Sequence, residues 1–222
     1  MTDVLQPPSA PAAAPDTADT ANAWPEGLPR RMTLEEYLAW DYEEVRAEWV
    51  DGEVILMSPV RLEHQFLLQF LYELIAVFTR RHRLGRVLLG PARMRLPTKP
   101  SGREPDLMFI STAHLDRLNP TFVDGPADLA VEIVSPESEA RDRAIKFAEY
   151  EAAGIPEYWL IDPLRHEAMF YVLGKDGRYH LRQVSPDGIY QSSVVKGFRL
   201  RPDWLWRDPL PSPEDALAEL PA

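Results

Sequence analysis

Two patterns of apolar residues divide the chain into helical and extended segments. Between Leu62 and His82 apolar side chains return every three or four residues, with Phe66 and Phe70 among them, which predicts one long helix. Residues 127–135, ADLAVEIVS, instead form a short and nearly continuous apolar run. A run of this length is typical of a strand buried on both faces.

Capping and turn residues predict further elements. Thr33 and Glu36 have the spacing of a capping box, which predicts a short helix over TLEEYLAW. Asp51-Gly52 lies between AEWV and EVILMS and predicts a tight hairpin. Gly85 is predicted to end the long helix, and Gly154 a second helix over residues 139–153.

The remaining segments are read as strands. They are VLLG, MRLP, PDLMFI after a PSGRE turn, EYWLID halted by Pro163, and the antiparallel run EAMFYVLG, RYHLRQVS and IYQSSVVK. Together the elements predict a mixed sheet flanked by helices, an α/β fold, or α+β by a stricter label.

Composition predicts the limits of the ordered domain. Residues 1–30 hold six prolines and seven alanines, and a segment so poor in large apolar residues is predicted to be a disordered tail. The ordered domain is predicted over residues 31–206. Residues 207–222 are Pro-rich again, with a short helix capped by Ser212.

Charge and cysteine content limit the function classes. The chain has no cysteine, which excludes disulfides, thiol nucleophiles and cysteine-bound metals. Its net charge of −11 argues against a general nucleic-acid coat protein. Residues 61–103, however, carry nine Lys or Arg against Glu63 and Glu73, so they could form either a face that meets phosphate or an ordinary solvated surface. Without a signal peptide or an apolar span, we expect a soluble cytoplasmic protein with no membrane contact.

Two carboxylates stand where a charge is costly. Glu132 lies in the middle of the apolar run, and Asp106 begins the PDLMFI strand. Either residue alone could be a strand-end carboxylate paired with an arginine. Together they predict a site for Mg²⁺ or Mn²⁺, because these ions prefer carboxylate oxygen ligands.

The helix after Glu132 carries a polar stripe. Asp142, Lys146 and Tyr150 are spaced by four residues and share one helix face. If that face meets the strand ends, Lys146 can reach the carboxylates. The alternative is a solvated Asp–Lys pair, and the pattern alone does not decide between them.

At this point the sequence resembles a known family. EWVDGEVILMSP, His64-Gln65, EPDLMFI, LAVEIVSPES, RDRAIKFAEYEAAGIPEYWLIDP and KGFRL follow one another in this order. These blocks, from about Met32 to Trp206, are similar to the Uma family of putative restriction endonucleases, which belongs to the PD-(D/E)XK nuclease superfamily. The resemblance implies a restriction-endonuclease-like fold and metal-assisted hydrolysis of nucleic acid, with DNA the expected substrate.

The resemblance also implies roles for individual residues. Asp106 and Glu132 would bind the metal, with the backbone carbonyl of Ile133 as a further ligand, and Glu48 would either complete the site or support a second ion. The superfamily lysine belongs two residues after Glu132, where this chain has Val134. Lys146 is therefore expected to replace it from the following helix.

Other roles are weaker expectations. His64 is expected either to contact substrate or to be a structural helix-terminus histidine. Asp142 would orient Lys146 or simply pair with it, and Tyr150 would support the site or pack in the core. A homodimer is expected by analogy with nucleases that cut both strands.

Two other functions remain open from the sequence. The first is a catalytically silent nuclease fold that binds nucleic acid or a protein partner. The second is a subunit whose specificity comes from a separate protein. Glu48, Asp106, Glu132 and a candidate lysine are all present, which favours the enzyme, because function lies in the site and not in the fold.

Overall fold

The computed structural model describes Trp24 and residues 28–40, 45–57, 61–97, 101–136 and 141–220. The α-helices of these residues are α1 (Leu34–Ala39), α2 (Leu62–His82), α3 (Phe147–Ala153) and α4 (Pro213–Ala218). A π-helical turn, Arg141–Lys146, leads directly into α3, and 3-10 helices cover Thr112–Arg117 and Pro202–Trp206. No helix in these ranges is long and apolar enough to cross a membrane.

The strands of the described residues form two mixed sheets and a small antiparallel pair. They are β1 (Ala47–Val50), β2 (Glu53–Leu56), β3 (Gly85–Leu89), β4 (Arg93–Leu96), β5 (Ser101–Arg103), β6 (Leu107–Ser111), β7 (Phe122–Asp124), β8 (Leu129–Ile133), β9 (Glu157–Asp162), β10 (Glu167–Leu173), β11 (Tyr179–Leu181), β12 (Tyr190–Gln191) and β13 (Arg199–Leu200). The larger sheet has the order β11-β10-β9-β8-β6-β3 and the smaller one β2-β1-β5-β4-β7, while β12 pairs with β13. This mixed α/β architecture confirms the predicted fold class.

The larger sheet is covered on both faces. Odd-numbered residues of β8, such as Val131 and Ile133, pack in a core with α2 and the C-terminal segment. The even-numbered Ala130, and Val134 directly after the strand, pack with Tyr150 on the side of α3. This alternation follows from the two-residue repeat of a strand. It explains why the sequence of β8 is apolar at nearly every position.

Several local predictions are confirmed. The hydroxyl of Thr33 accepts a hydrogen bond from the backbone N–H of Glu36, whose carboxylate accepts one from the N–H of Thr33, so the capping box is complete. β1 and β2 form the predicted hairpin around Asp51 and Gly52. Gly154 adopts a φ of 78° at the end of α3. Ser212 caps α4 by accepting from the N–H of Asp215.

Three predictions are wrong in detail. Arg83, not Gly85, ends α2 in a left-handed conformation. Gly85 instead begins β3, where a Cβ would lie 2.0 Å from the carbonyl oxygen of Ile110. The expected PSGRE turn contains β5, because residues 101–103 pair with both β1 and β4. IYQSSVVK contributes only β12, since the chain then turns at Ser193, whose N–H bonds to the carboxylate of Glu157.

The packed region extends into the predicted N-terminal tail. Leu28 is buried, and the indole N–H of Trp24 donates to its carbonyl oxygen at 2.7 Å. Trp24 itself packs against the cluster that contains Tyr37 and Trp49. Residues 1–23 and 25–27 of the predicted tail, and the predicted start of the second helix at Glu139, lie outside the described residues.

Candidate active site

Strand pairing brings the two predicted metal ligands together. β6 and β8 are antiparallel with Leu107 opposite Val131, and one further step along this register places Asp106 opposite Glu132. Directly opposed residues project from the same face of a sheet. The chain holds this geometry with a hydrogen bond from the N–H of Ile133 to Oδ2 of Asp106, at 2.8 Å.

Lys146 reaches the carboxylates from the helical side. Its Nζ lies 2.9 Å from Oε1 of Glu132, 2.9 Å from Oε1 of Glu48 and 3.5 Å from Oδ1 of Asp142. Only 1% of the residue is exposed. The alternative of a solvated Asp–Lys pair is therefore wrong, and the polar stripe faces the strands.

Tyr150 completes the contacts of the stripe. Its hydroxyl donates to Oε1 of Glu132 at 2.7 Å, the same oxygen that Lys146 contacts. The π-helical turn before α3 widens the helix where Asp142 and Lys146 lie, and such turns are frequent at functional sites. One oxygen of Glu132 is thus fixed by two donors from the helix.

Glu48 joins the cluster through residues that the sequence reading missed. Nη1 of Arg103, on β5, contacts Oε2 of Glu48 at 2.8 Å, and Nε of Arg103 contacts Oε2 of Glu149 at 2.7 Å. All three side chains are almost completely buried. No local pattern indicates this contact, because Arg103 lies in a segment read as a turn. The signal that could have indicated this contact is charge balance, because the buried carboxylates need a cation such as an arginine.

His64 contacts a carboxylate of the site. It lies in the first turn of α2, and its Nε2 is 3.2 Å from Oδ2 of Asp106. Its side chain is only 8% exposed. His64 and the N–H of Ile133 therefore share one oxygen of Asp106, which gives His64 a supporting position.

The cluster contains more carboxylates than cations, and this sets its protonation. Burial is the largest cause of a raised pKa at Glu132; Lys146 lowers this pKa, the nearby Asp142, Asp106 and Glu48 raise it, and the net pKa is about 8. Burial alone would lower the pKa of Lys146, but the carboxylates of Glu132, Glu48 and Asp142 outweigh it and raise that pKa. Near neutral pH Lys146 is an ammonium and Glu132 tends to retain a proton.

Asp106 and Glu132 have the chemistry to hold a divalent cation. Oδ1 of Asp106 and Oε2 of Glu132 accept no hydrogen bond from the described residues, whereas their other oxygens are held by protein donors. An excess of buried negative charge favours a cation. Within the described ranges, however, no three His, Cys, Asp or Glu side chains converge to hold an ion by themselves. The remaining ligands would have to be water or substrate oxygens.

The surroundings of Val134 bear on the expectation that Lys146 replaces a lysine at position 134. Val134 is 2% exposed and packs with the core on the side of α3. It shares the face of β8 that carries Glu132, so a lysine there would extend into this core. Lys146 instead supplies an amine to Glu132 from the adjacent helix.

The fold and this cluster define a mixed α/β protein with largely buried carboxylates at the ends of β6 and β8. Residues 34–203 match the Uma2 family, described as "Putative restriction endonuclease", and the chain belongs to this family. A crystal structure described as a putative nuclease belonging to DUF820, from Anabaena variabilis ATCC 29413, shares the fold with a TM-score of 0.64 and 19% sequence identity. The alignment covers 79% of this chain and 97% of that chain. No curated protein matches the chain.

Proposed function

We propose that the chain is a divalent-metal-dependent endonuclease that hydrolyses phosphodiester bonds of nucleic acid, with DNA as its substrate. The observation that carries this proposal is the cluster at the ends of β6 and β8, where Asp106 lies opposite Glu132 and Lys146 contacts Glu132 at 2.9 Å. Family membership supports a nuclease function in general terms. The metal and the DNA substrate are the proposed refinements.

The protein side chains would divide the work as follows. A Mg²⁺ or Mn²⁺ ion bound to Asp106 and Glu132 would polarise a phosphoryl oxygen and lower the pKa of a bound water. His64 and the N–H of Ile133 fix Asp106 through Oδ2. The ammonium of Lys146 would offset negative charge that develops at the phosphate.

Glu48 and Ile133 have contacts that bear on their proposed ligand roles. Both oxygens of Glu48 contact cations, Arg103 on one side and Lys146 on the other. Glu48 would thus act on the metal mainly by positioning Lys146. The carbonyl of Ile133 remains a proposed ligand, adjacent to the N–H that holds Asp106.

One observation favours a catalytically silent module as the second candidate. Lys146 contacts three carboxylates and is almost completely buried, so it already neutralises part of the charge that a metal would occupy. In a silent protein this lysine would simply stabilise the fold. A protein of that kind would bind nucleic acid or a protein partner without cutting.

Cleavage assays with matched carboxylate variants test the proposal. Wild type, Asp106→Asn, Glu132→Gln and Asp128→Asn are incubated with supercoiled DNA, single-stranded DNA and RNA, each with Mg²⁺ or Mn²⁺. Asp128 is the control, because it is a buried carboxylate that precedes β8 and bonds to the N–H of Ser111. Wild type and the control should cut DNA, and the two site variants should not.

Two results would contradict the nuclease proposal. Equal cleavage by the site variants would place the chemistry elsewhere, and binding without cleavage by wild type on every substrate would favour the silent module. The homodimer and the cytoplasmic location stay predictions. The first is checked by the mass of the protein in solution with and without duplex DNA.

A further inference from the structure

An arginine beside the acidic cluster has contacts unlike those of its neighbours. Arg46 precedes β1, and its carbonyl oxygen accepts a hydrogen bond from the N–H of Met57, which extends the β1–β2 ladder by one residue. Residues two apart in a strand project from the same face. Arg46 therefore shares the face from which Glu48 reaches Lys146 and Arg103.

The guanidinium of Arg46 makes no hydrogen bond to any residue that the structure describes. Its Nε is completely buried without a partner, although about a third of the side chain, 32%, is exposed. The nearest carboxylate atom is Oε2 of Glu104, at 4.0 Å from Nε. That oxygen is also buried and without a hydrogen bond in the described chain.

Glu104 has a second cation, Arg93, besides Arg46. Nε of Arg93 lies 3.6 Å from Oε1 of Glu104, which the hydroxyl of Tyr37 also contacts, at 3.5 Å. Arg93 is fixed by hydrogen bonds to the carbonyl oxygens of Tyr37 and Trp40. Arg46 has no such anchors in the described chain, and the exposed part of its side chain can take another acceptor.

Gly90 places this guanidinium next to the candidate metal ligand. A Cβ at Gly90 would lie 3.0 Å from Nη2 of Arg46, 3.2 Å from the carbonyl oxygen of Pro105 and 3.9 Å from Cα of Asp106. The N–H of Gly90 donates to the carbonyl oxygen of Asp106. The missing side chain therefore leaves room for Arg46 against the backbone that carries Asp106.

We propose that Arg46 binds a phosphate group of the nucleic-acid substrate at the entrance of the site. This inference rests on the proposed nuclease function and adds a substrate-binding residue to it. An acidic cluster repels a phosphate, and Lys146 is buried among carboxylates. A partly exposed guanidinium with free donors suits a phosphate, because its planar fork matches two phosphate oxygens.

Four variants separate substrate binding from a structural role. They are Arg46→Gln, Glu104→Gln, the double variant, and Arg86→Gln as a control on an exposed arginine of β3. Binding of a fluorescein-labelled single strand and a duplex of DNA is followed by anisotropy with EDTA and with Ca²⁺, at several salt concentrations. Melting temperature is measured for each variant.

Arg46→Gln should weaken binding about 10-fold or more, the usual effect of losing a charged hydrogen bond. It should also reduce the slope of log affinity against log salt by about one, and Glu104→Gln should not restore either loss. The control should bind more tightly than Arg46→Gln.

Two results would overturn the inference: Arg46→Gln binding like wild type, or the double variant recovering both binding and melting temperature. In the second case Arg46 would serve only to neutralise Glu104. Failure of the inference is distinct from failure of the nuclease proposal. Unchanged binding and cleavage by Arg46→Gln would remove only the role of Arg46. Arg46-dependent binding by a wild type that cuts nothing would remove only the nuclease.

Discussion

Metal binding to the cluster should depend steeply on pH, because an ion at Glu132 must displace a proton. The pKa of Glu132 is raised to about 8, so near pH 7 most of the metal-free protein carries that proton. Lys146 keeps its own proton over this range, since its pKa is raised as well. The affinity for Mn²⁺ should therefore increase about 10-fold per pH unit up to about pH 8 and then level off.

Without metal, the contribution of Glu132 to folding stability falls as pH rises, which is opposite to the change in metal affinity. Because the folded pKa of Glu132 lies above the ordinary value of 4.5, the folded state binds more protons than the unfolded state over the interval between them. This residue's contribution to stability is thus complete below about pH 4.5 and is lost as pH rises to about 8, with a slope of at most about 1.4 kcal/mol per pH unit. In Glu132→Gln that loss should disappear.

Thermal unfolding measures both effects. With Mn²⁺ in excess, each 10-fold gain in affinity is worth about 1.4 kcal/mol. For a chain of this length that corresponds to roughly 3–5 °C in melting temperature. The Mn²⁺-induced shift of wild type should grow by this amount per pH unit between pH 6 and 8, and it should nearly vanish in Glu132→Gln. A shift that is the same at pH 6 and 8, or the same in both proteins, would refute the reasoning.

Two further predictions follow from burial. Lys146→Ala should lower the cleavage rate on the order of 100-fold. It should also destabilise the fold by about 3–5 kcal/mol, because it leaves buried carboxylates without their cation. Normal cleavage with an unchanged melting temperature would contradict both roles. Deletion of residues 1–23 should leave the melting temperature unchanged, as their composition predicts. Deletion of residues 1–29 should lower the melting temperature by several degrees, because it removes Trp24 and the buried Leu28. Equal melting temperatures of the two deletion variants would show that these two residues contribute little to stability.

The sequence predicted helix starts and turns well where one short motif determines the backbone conformation. The box of Thr33 and Glu36 satisfies two N–H groups at the start of α1 within four residues. Asp51 and Gly52 supply the positive φ angles that the β1–β2 turn requires. Neither motif depends on distant parts of the chain, so the sequence alone was sufficient for them.

Contacts between distant segments were not predictable in the same way. β5 is three residues long and is defined by its pairing with β1 and β4, so nothing in its own sequence distinguishes it from a turn. The ion pairs of Arg103 join β5 to Glu48 and to Glu149, 55 and 46 residues away. The sequence predicted that the polar residues around Lys146 share one helix face, but it did not predict which part of the fold this face contacts.

Burial alone does not identify a functional carboxylate. Glu157, on β9, is as buried as Glu132. Its oxygens accept hydrogen bonds from Trp159, Tyr190 and backbone N–H groups after β12. Such a carboxylate is satisfied by neutral donors and connects two parts of the fold. What distinguishes Glu132 is a second oxygen without a donor in the described chain, beside other carboxylates.

The position of Lys146 follows from the surroundings of β8. A lysine at position 134 would have to place its amine among apolar side chains of the core around Tyr150, which is costly for a charge. From the π-helical turn before α3, the amine of Lys146 reaches Glu132 and Glu48 together, and the surrounding carboxylates raise its pKa. Val134 can then pack as an apolar residue, so the strand gains core contacts while the site keeps its cation. An apolar residue at position 134 and an amine at position 146 thus meet separately two demands that a lysine at position 134 would have to meet together.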